Sequence, residues 1–221
     1  TRSAVRTTET SMNDQLSIQQ RRIIEYAPQN GHMLVLAGPG SGKTRVITER
    51  VSYLLERHMT EPERIVVMTF TEKAARELDE RLEDRLSNNV QGIRIGTIHT
   101  ICNQLLEDHG SAIGLEPSFK IYDAQRQEEI LRLAAASIGR SLDSRATLMA
   151  VKDAISRHKR RGIADRAFQS HGGLSGEDIA KIDEAYQQLL KEDGALDFDD
   201  LILGGIELLD HYLVAAEIRK N

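Results

Sequence analysis

The 221 residues are 40% hydrophobic and 29% charged, a mixture that excludes collagen-like, mucin-like and wholly disordered chains and suffices for one large or two small domains. With 4% aromatics and no tryptophan, the core has to be built from Leu, Ile, Val and Ala. The net charge of −5 argues against a bulk polyanion binder, though not against a local basic groove, and the single cysteine rules out an intramolecular disulfide.

Residues 1–11 are polar, lack the apolar stretch of a signal peptide and read as a flexible lead-in. Met33–Ala37 is too short an apolar run to span a bilayer. No membrane segment is expected, and a lone Cys102 without a Cys/His cluster points to a reducing, cytoplasmic setting. Leu34-Val35-Leu36 reads as a buried strand between Gly31 and the glycine-rich stretch Gly38–Gly42. The spacing of Ile47, Val51, Leu54 and Leu55 predicts a helix over Lys43–Arg57. Ile65–Met68 reads as a second buried strand. Ala74, Leu78 and Leu82 mark a helix over Lys73–Leu86, and Ile93–Thr97 a third, shorter strand. A helical run to Asp108 follows, stopped by Gly110. Continuous apolar strands alternating with helices predict an α/β fold, a parallel sheet with crossover helices.

Beyond Pro117 the texture changes. Between Asp123 and Ser156 there is no strand-like run, and Ile130, Leu131, Leu133, Leu148, Val151 and Ile155 keep helical spacing. Gly172-Gly173 reads as a hinge-like turn. Ser175 with Asp178 forms a capping box that opens a helix presenting Ile179, Ile182, Tyr186, Leu189 and Leu190 on one face and ending at Gly194. A last amphipathic helix is expected over Phe198–Val214. The domain reading is therefore a lead-in at 1–11, a first α/β part at 12–116, a helical subdomain at 117–193, and a helix returning to the α/β part at 194–221.

The stretch Leu36-Ala37-Gly38-Pro39-Gly40-Ser41-Gly42-Lys43-Thr44 carries the clearest chemistry. A strand running into a glycine-rich loop and then a helix turns successive backbone N–H groups, and the open N–H groups of the helix start, toward one anion. Glycine is needed where φ is positive or a phosphate approaches the backbone. Lys43 would reach the β- and γ-phosphates, and the Thr44 hydroxyl would ligate Mg²⁺. The loop thus predicts a nucleoside triphosphate site; Ala37 stands where the strict pattern has Gly. The alternative is a chance glycine-rich turn. Two further segments, Thr69–Leu78 and Gly96–Thr100, stand at strand C-terminal ends, where α/β sheets bind ligands. Their hydroxyls suit phosphates, and Phe70 suits stacking on a base.

The motifs LAGPGSGKTRV, TFTEKAAREL, IGTIHTICNQLL and ALDFDDL, in this order across nearly the whole chain after Ser11, resemble superfamily 1 DNA helicases of the UvrD/Rep/PcrA type. The resemblance implies a RecA-like P-loop domain with parallel sheet, flanking helices and an all-helical insertion that opens near Phe119–Asp123. It implies that Gln20 reads adenine, as a side-chain amide both donates and accepts; Gln19 is the competing choice. Arg45 and Arg81 match positions near the nucleotide, and both also read as ordinary surface arginines. Phe70, Thr71, Lys73, Thr97, His99 and Thr100 match single-stranded DNA contacts, with a structural role open for His99. Cys102 and Leu105 read as core. The basic stretch Lys152–Arg161 reads as a solvated helix face, against a duplex-DNA contact as the sharper alternative. Asp197, Asp199 and Asp200 match the helix before Walker B and do not read as a metal site.

The resemblance puts Walker B, the second RecA-like domain and its arginine finger beyond Asn221. A finger contributes roughly 10³–10⁵ in rate, about 4–7 kcal/mol of barrier. These residues alone are therefore expected to hydrolyse ATP negligibly and to bind single strands feebly. The whole implied by the resemblance is an ATP- and Mg²⁺-dependent 3′-to-5′ motor acting at single-strand/duplex junctions in DNA repair or replication, its partners being DNA and the remaining helicase domains. The alternatives are a helicase–nuclease subunit of the AddA or RecB kind, or a P-loop module switched by nucleotide.

Overall fold

The computed structural model describes residues 16–86, 90–161, 168–170, 173–211 and 214. The lead-in at 1–11, Gly172 of the expected hinge, and most of the chain after Asp210 lie outside the described residues. The chain divides into two compact units, Thr1–Gly96 and Thr97–Asn221. It is mixed helix and strand, with a parallel pair in the second unit.

In the first unit, α1 (Ile18–Ile24) is opened by a Ser17/Gln20 capping box. Helix α2 (Lys43–Glu56) follows the glycine-rich loop. Strand β1 (Val66–Thr69) leads into α3 (Glu72–Leu86), and β2 (Arg94–Thr97) pairs with β1. Val51, Ile65, Val67, Leu78, Leu82 and Leu86 form the core, each large side chain contributing about 1.5–3 kcal/mol of burial. Two expectations are corrected here. Leu34-Val35-Leu36 is neither strand nor buried: Leu34 and Leu36 are 86% and 89% exposed. Strand geometry needs a ladder partner on at least one side, and β1 and β2 pair only with each other among the described residues. β1 is covered on one face only: Val67, like Ile65 just before the strand, turns inward, whereas Val66 and Met68 stay about half exposed. Val51, Leu78 and Leu82 of the expected helical stripes are buried, but at the first position of each stripe the neighbour turns inward instead, Val46 rather than Ile47 and Ala75 rather than Ala74.

The second unit begins with α4 (Ile98–His109), continued by a short 3₁₀ turn that closes at Gly114 in the left-handed region. Strand β3 (Lys120–Ile121) precedes α5 (Ala124–Ser137), α6 (Arg145–Arg161) and α7 (Gly176–Glu192); β4 (Ala195–Leu196) precedes α8 (Phe198–Asp210). β3 and β4 pair in parallel, Lys120 opposite Ala195 and Ile121 opposite Leu196, which ties together the two chain ends flanking the helices. Leu131, Ala134, Leu148, Val151, Ile179, Ile182 and Tyr186 fill the core among α5, α6 and α7. A second cluster, Cys102, Leu106, Leu201 and Leu208, joins α4 to α8. The α7 capping box forms as its sequence predicts, Ser175 and Asp178 exchanging hydrogen bonds.

Candidate functional site

The loop before α2 owes its shape to two left-handed glycines, Gly40 (φ 72°) and Gly42 (φ 81°), conformations that side-chain-bearing residues adopt only under strain. Gly42 is the N-cap of α2 and offers no side chain to its first N–H groups. The helix start is thus open to an external acceptor and carries the positive end of the helix dipole. Lys43 is exposed; its Nζ donates to the Gly38 carbonyl at 2.7 Å. The Ser41 hydroxyl donates to the same carbonyl at 2.8 Å. Thr44 also lies exposed in the first turn, its own carbonyl accepting from Thr48 Oγ1.

Gln20 reaches this loop from α1, and its Nε2 donates to the Ser41 carbonyl at 3.1 Å. Its Oε1 accepts from Ser17 N–H in the capping box, so the amide is held at both ends. Gln19 and Gln20 both line a cleft of about 730 Å³ together with Ala37, Gly38, Ser41 and Lys43, a volume in the range of small-molecule pockets. Arg50, not singled out from the sequence, lines the same cleft. One of its guanidinium nitrogens, Nη1, donates to the carbonyls of Ile23, Ile24 and Tyr26 at 2.8, 3.2 and 2.8 Å. It therefore closes the C-terminal end of α1 and fixes that helix to α2. The signal was available: Arg50 sits seven residues after Lys43 and four after buried Val46, on the inward side of α2. Arg45, the residue after Thr44, and Arg81 line a second cleft between α2 and α3 with Thr48, Glu49, Asp84 and Arg85.

At the end of β1, Phe70 is 99% exposed. Thr71 Oγ1 accepts from Ala74 N–H and so caps α3, and Lys73 is exposed beside Glu77 at 3.9 Å. In the second unit Thr97 caps α4, accepting from Thr100 N–H at 3.3 Å, and the two hydroxyls lie 2.9 Å apart. His99, in the same turn, packs edge-on against Phe198, ring centroids 5.5 Å apart.

The basic stretch is corrected at one position. Lys159 belongs neither to a solvated face nor to a DNA-facing one: its side chain is 8% exposed and holds Asp197 at 2.8 Å and Asp200 at 2.7 Å. Asp197 is 1% exposed and accepts also from Tyr186 OH at 3.0 Å and Gln127 Nε2 at 3.2 Å. Burial works against the charge on both partners, yet the pairing keeps Lys159 above its ordinary value and Asp197 below its own; Asp200, buried beside Asp197, is pushed up. Around it, Arg160 stays exposed and lies 3.8 Å from Asp199. The side chain of Arg161 lies outside the described residues. Asp197 and Asp200 also form the capping box of α8, so this acidic cluster is occupied by protein donors.

The family profile described as the UvrD/REP helicase N-terminal domain matches residues 16–221. The ATP-dependent DNA helicase PcrA of Staphylococcus aureus (strain Mu50) is 32% identical over 195 residues, covering 86% of this chain and 26% of the relative. PcrA of Staphylococcus epidermidis (strain ATCC 12228) is 32% identical over 194 residues with the same shares. The chain thus spans about a quarter of the length of the curated relatives it matches.

Proposed function

The chain belongs to the UvrD/REP helicase family, and from that premise we propose that it supplies the ATP-binding and part of the single-strand-binding surface of an ATP-dependent 3′-to-5′ DNA helicase. The observation that carries the reading is the open, left-handed start of α2, with Lys43 over the loop and Gln20 docked on Ser41. This donor set fits a magnesium-bound triphosphate. The α2 N–H groups and the loop amides would hold the phosphate oxygens. Lys43, now on the Gly38 carbonyl, would exchange that acceptor for a phosphate oxygen, and Thr44 would hold Mg²⁺ through its hydroxyl. Gln20, fixed by Ser17 and Ser41, would present its amide to adenine, with Arg50 keeping α1 in place. Arg45 and Arg81 would approach the nucleotide from the α2–α3 side. When bound, the nucleotide supplies the phosphoanhydride whose cleavage drives movement.

Phe70 would stack on a base, while Thr71, Lys73, Thr97, His99 and Thr100 would meet the strand's backbone and bases. In this reading residues 12–116 and 194–221 belong to a RecA-like domain interrupted by the helical 117–193. The remaining helicase domains are its partners, and the setting is cytoplasmic. No helix among the described residues is long and apolar enough to cross a membrane. Hydrogen exchange on these 221 residues tests both halves. MgATP is expected to protect amides 38–45, and oligo(dT) those of 69–74 and 97–101. Protection confined to other segments would remove the corresponding half of the reading.

A further inference from the structure

The buried Lys159 has no task in nucleotide binding, yet it stands at the centre of the most desolvated polar cluster among the described residues. Each helix of the bundle sends one polar side chain to the same Asp197 carboxylate oxygen: Gln127 from α5, Lys159 from α6 and Tyr186 from α7. Asp197 is in turn the N-cap of α8 and exchanges capping hydrogen bonds with Asp200, the second partner of Lys159. Ser156, one turn before Lys159, adds a hydrogen bond to Asp199. The residue between Asp197 and Asp199 is Phe198, whose ring abuts His99. The rest of α8 is pressed onto α4 at Gly204 and Gly205, whose missing side chains leave room for Leu106 and Cys102. The three-helix bundle therefore fixes the first turn of α8, that turn fixes Phe198, and Phe198 limits the imidazole of His99.

We infer that Lys159 is a positioning residue that sets the orientation of His99 for the DNA strand through Asp197 and Phe198. The inference rests on the proposed DNA role of His99. Replacing a buried ion pair by apolar residues is often neutral or stabilising, and in some folds such a pair instead specifies conformation. A pair placed at a helix cap, one residue from a ring contact, transmits that specificity to a neighbouring side chain.

The test reads the His99 ring ¹H–¹³C resonance in the 221-residue chain, identified by its loss in His99→Gln, beside oligo(dT) affinity. Lys159→Met and Phe198→Leu are each expected to move the His99 resonance and to weaken oligo(dT) binding by about threefold or more. Their double variant should fall short of the product of the two effects. Val151→Ala, a cavity on the same α6 helix, should lower the melting temperature while leaving the His99 resonance and affinity unchanged. Should Lys159→Met fail to fold, Tyr186→Phe replaces it, removing one donor to Asp197 while keeping the ring. An unmoved His99 resonance, or effects of Lys159→Met and Phe198→Leu that simply multiply, overturns the positioning role. Absence of oligo(dT) binding by the unaltered chain instead overturns the DNA reading, and the resonance still decides the positioning.

Discussion

At the scale of single residues, the two lysines that matter live in opposite surroundings. Lys43 is exposed and rests on a backbone carbonyl that it can leave for a stronger, anionic acceptor. Lys159 is enclosed and has two carboxylates it cannot leave without exposing them to an apolar core. Removing one partner of such a pair leaves a buried charge uncompensated, a loss of about 3–5 kcal/mol. Lys159→Met is accordingly predicted to lower stability by that order in denaturant melts, whereas Arg160→Ala, on the exposed side of the same helix, should change it by less than about 0.5 kcal/mol. Equal losses in the two variants would contradict the buried-pair description. Lys159 falls on the helical stripe of Leu148, Val151 and Ile155, which is the sequence signal that it faces inward. That signal was outweighed by its basic neighbours, because composition reports a charge run and not the one member of it that turns to the core.

Helix α8 shows how an element is held by what its glycines lack. A methyl group at Gly205 would lie 2.8 Å from Cys102 Sγ and 3.2 Å from Cys102 Cβ, close to backbone that cannot turn away. At Gly204 the nearest atom is Leu106 Cδ2 at 3.0 Å, the far end of a side chain that can rotate. Alanine gains up to about 1 kcal/mol over glycine in a helix, against about 1–3 kcal/mol for overpacking. Gly205→Ala should therefore lower the melting temperature and Gly204→Ala leave it level or raise it; the reverse order would contradict the α4–α8 packing. Most elements were legible because their periods or caps are local: the Ser175/Asp178 box, the Gly42–Lys43 helix start and the Leu78/Leu82 stripe are all written within a few residues. The β3–β4 pair was not, since two residues per strand carry no period and the partners lie 75 residues apart in register. The run Leu34–Leu36 departs from its expected strand for the opposite reason. Its apolar content is that of a buried strand, but pairing is a property of neighbours, and no described strand takes it up.

For the whole molecule, charge placement fixes how stability follows pH. Hydrogen bonds from the Ser175 side chain and backbone and from Arg140 hold Asp178 below the usual carboxylate range. Those from Lys120 and Tyr122 do the same for Asp193, and the Lys159 pairing, against burial, for Asp197. A carboxylate depressed in the folded state contributes stability that is present above its unfolded value and lost as pH falls through the folded one. Asp200, raised by burial and by Asp197, acts in the opposite sense and takes up its proton first. Thermal melts should therefore stay level or improve slightly from neutrality to about pH 5 and fall below about pH 4. At the alkaline end, the raised Lys159 contributes stability that is present below its unfolded value and lost as pH rises through the folded one, above about pH 10. A fall in stability already under way between pH 7 and 6 would contradict this assignment.

Whether the start of α2 takes a triphosphate decides the proposed role of the first unit. Calorimetric titration of MgATP into the 221-residue chain, beside Lys43→Ala, tests it most directly. Saturable one-to-one binding is predicted, weakened by about ten- to a hundredfold in Lys43→Ala through loss of one charge-assisted contact, with melting temperatures of the two proteins alike. No heat of binding in the unaltered chain, or equal affinity in both, would contradict it.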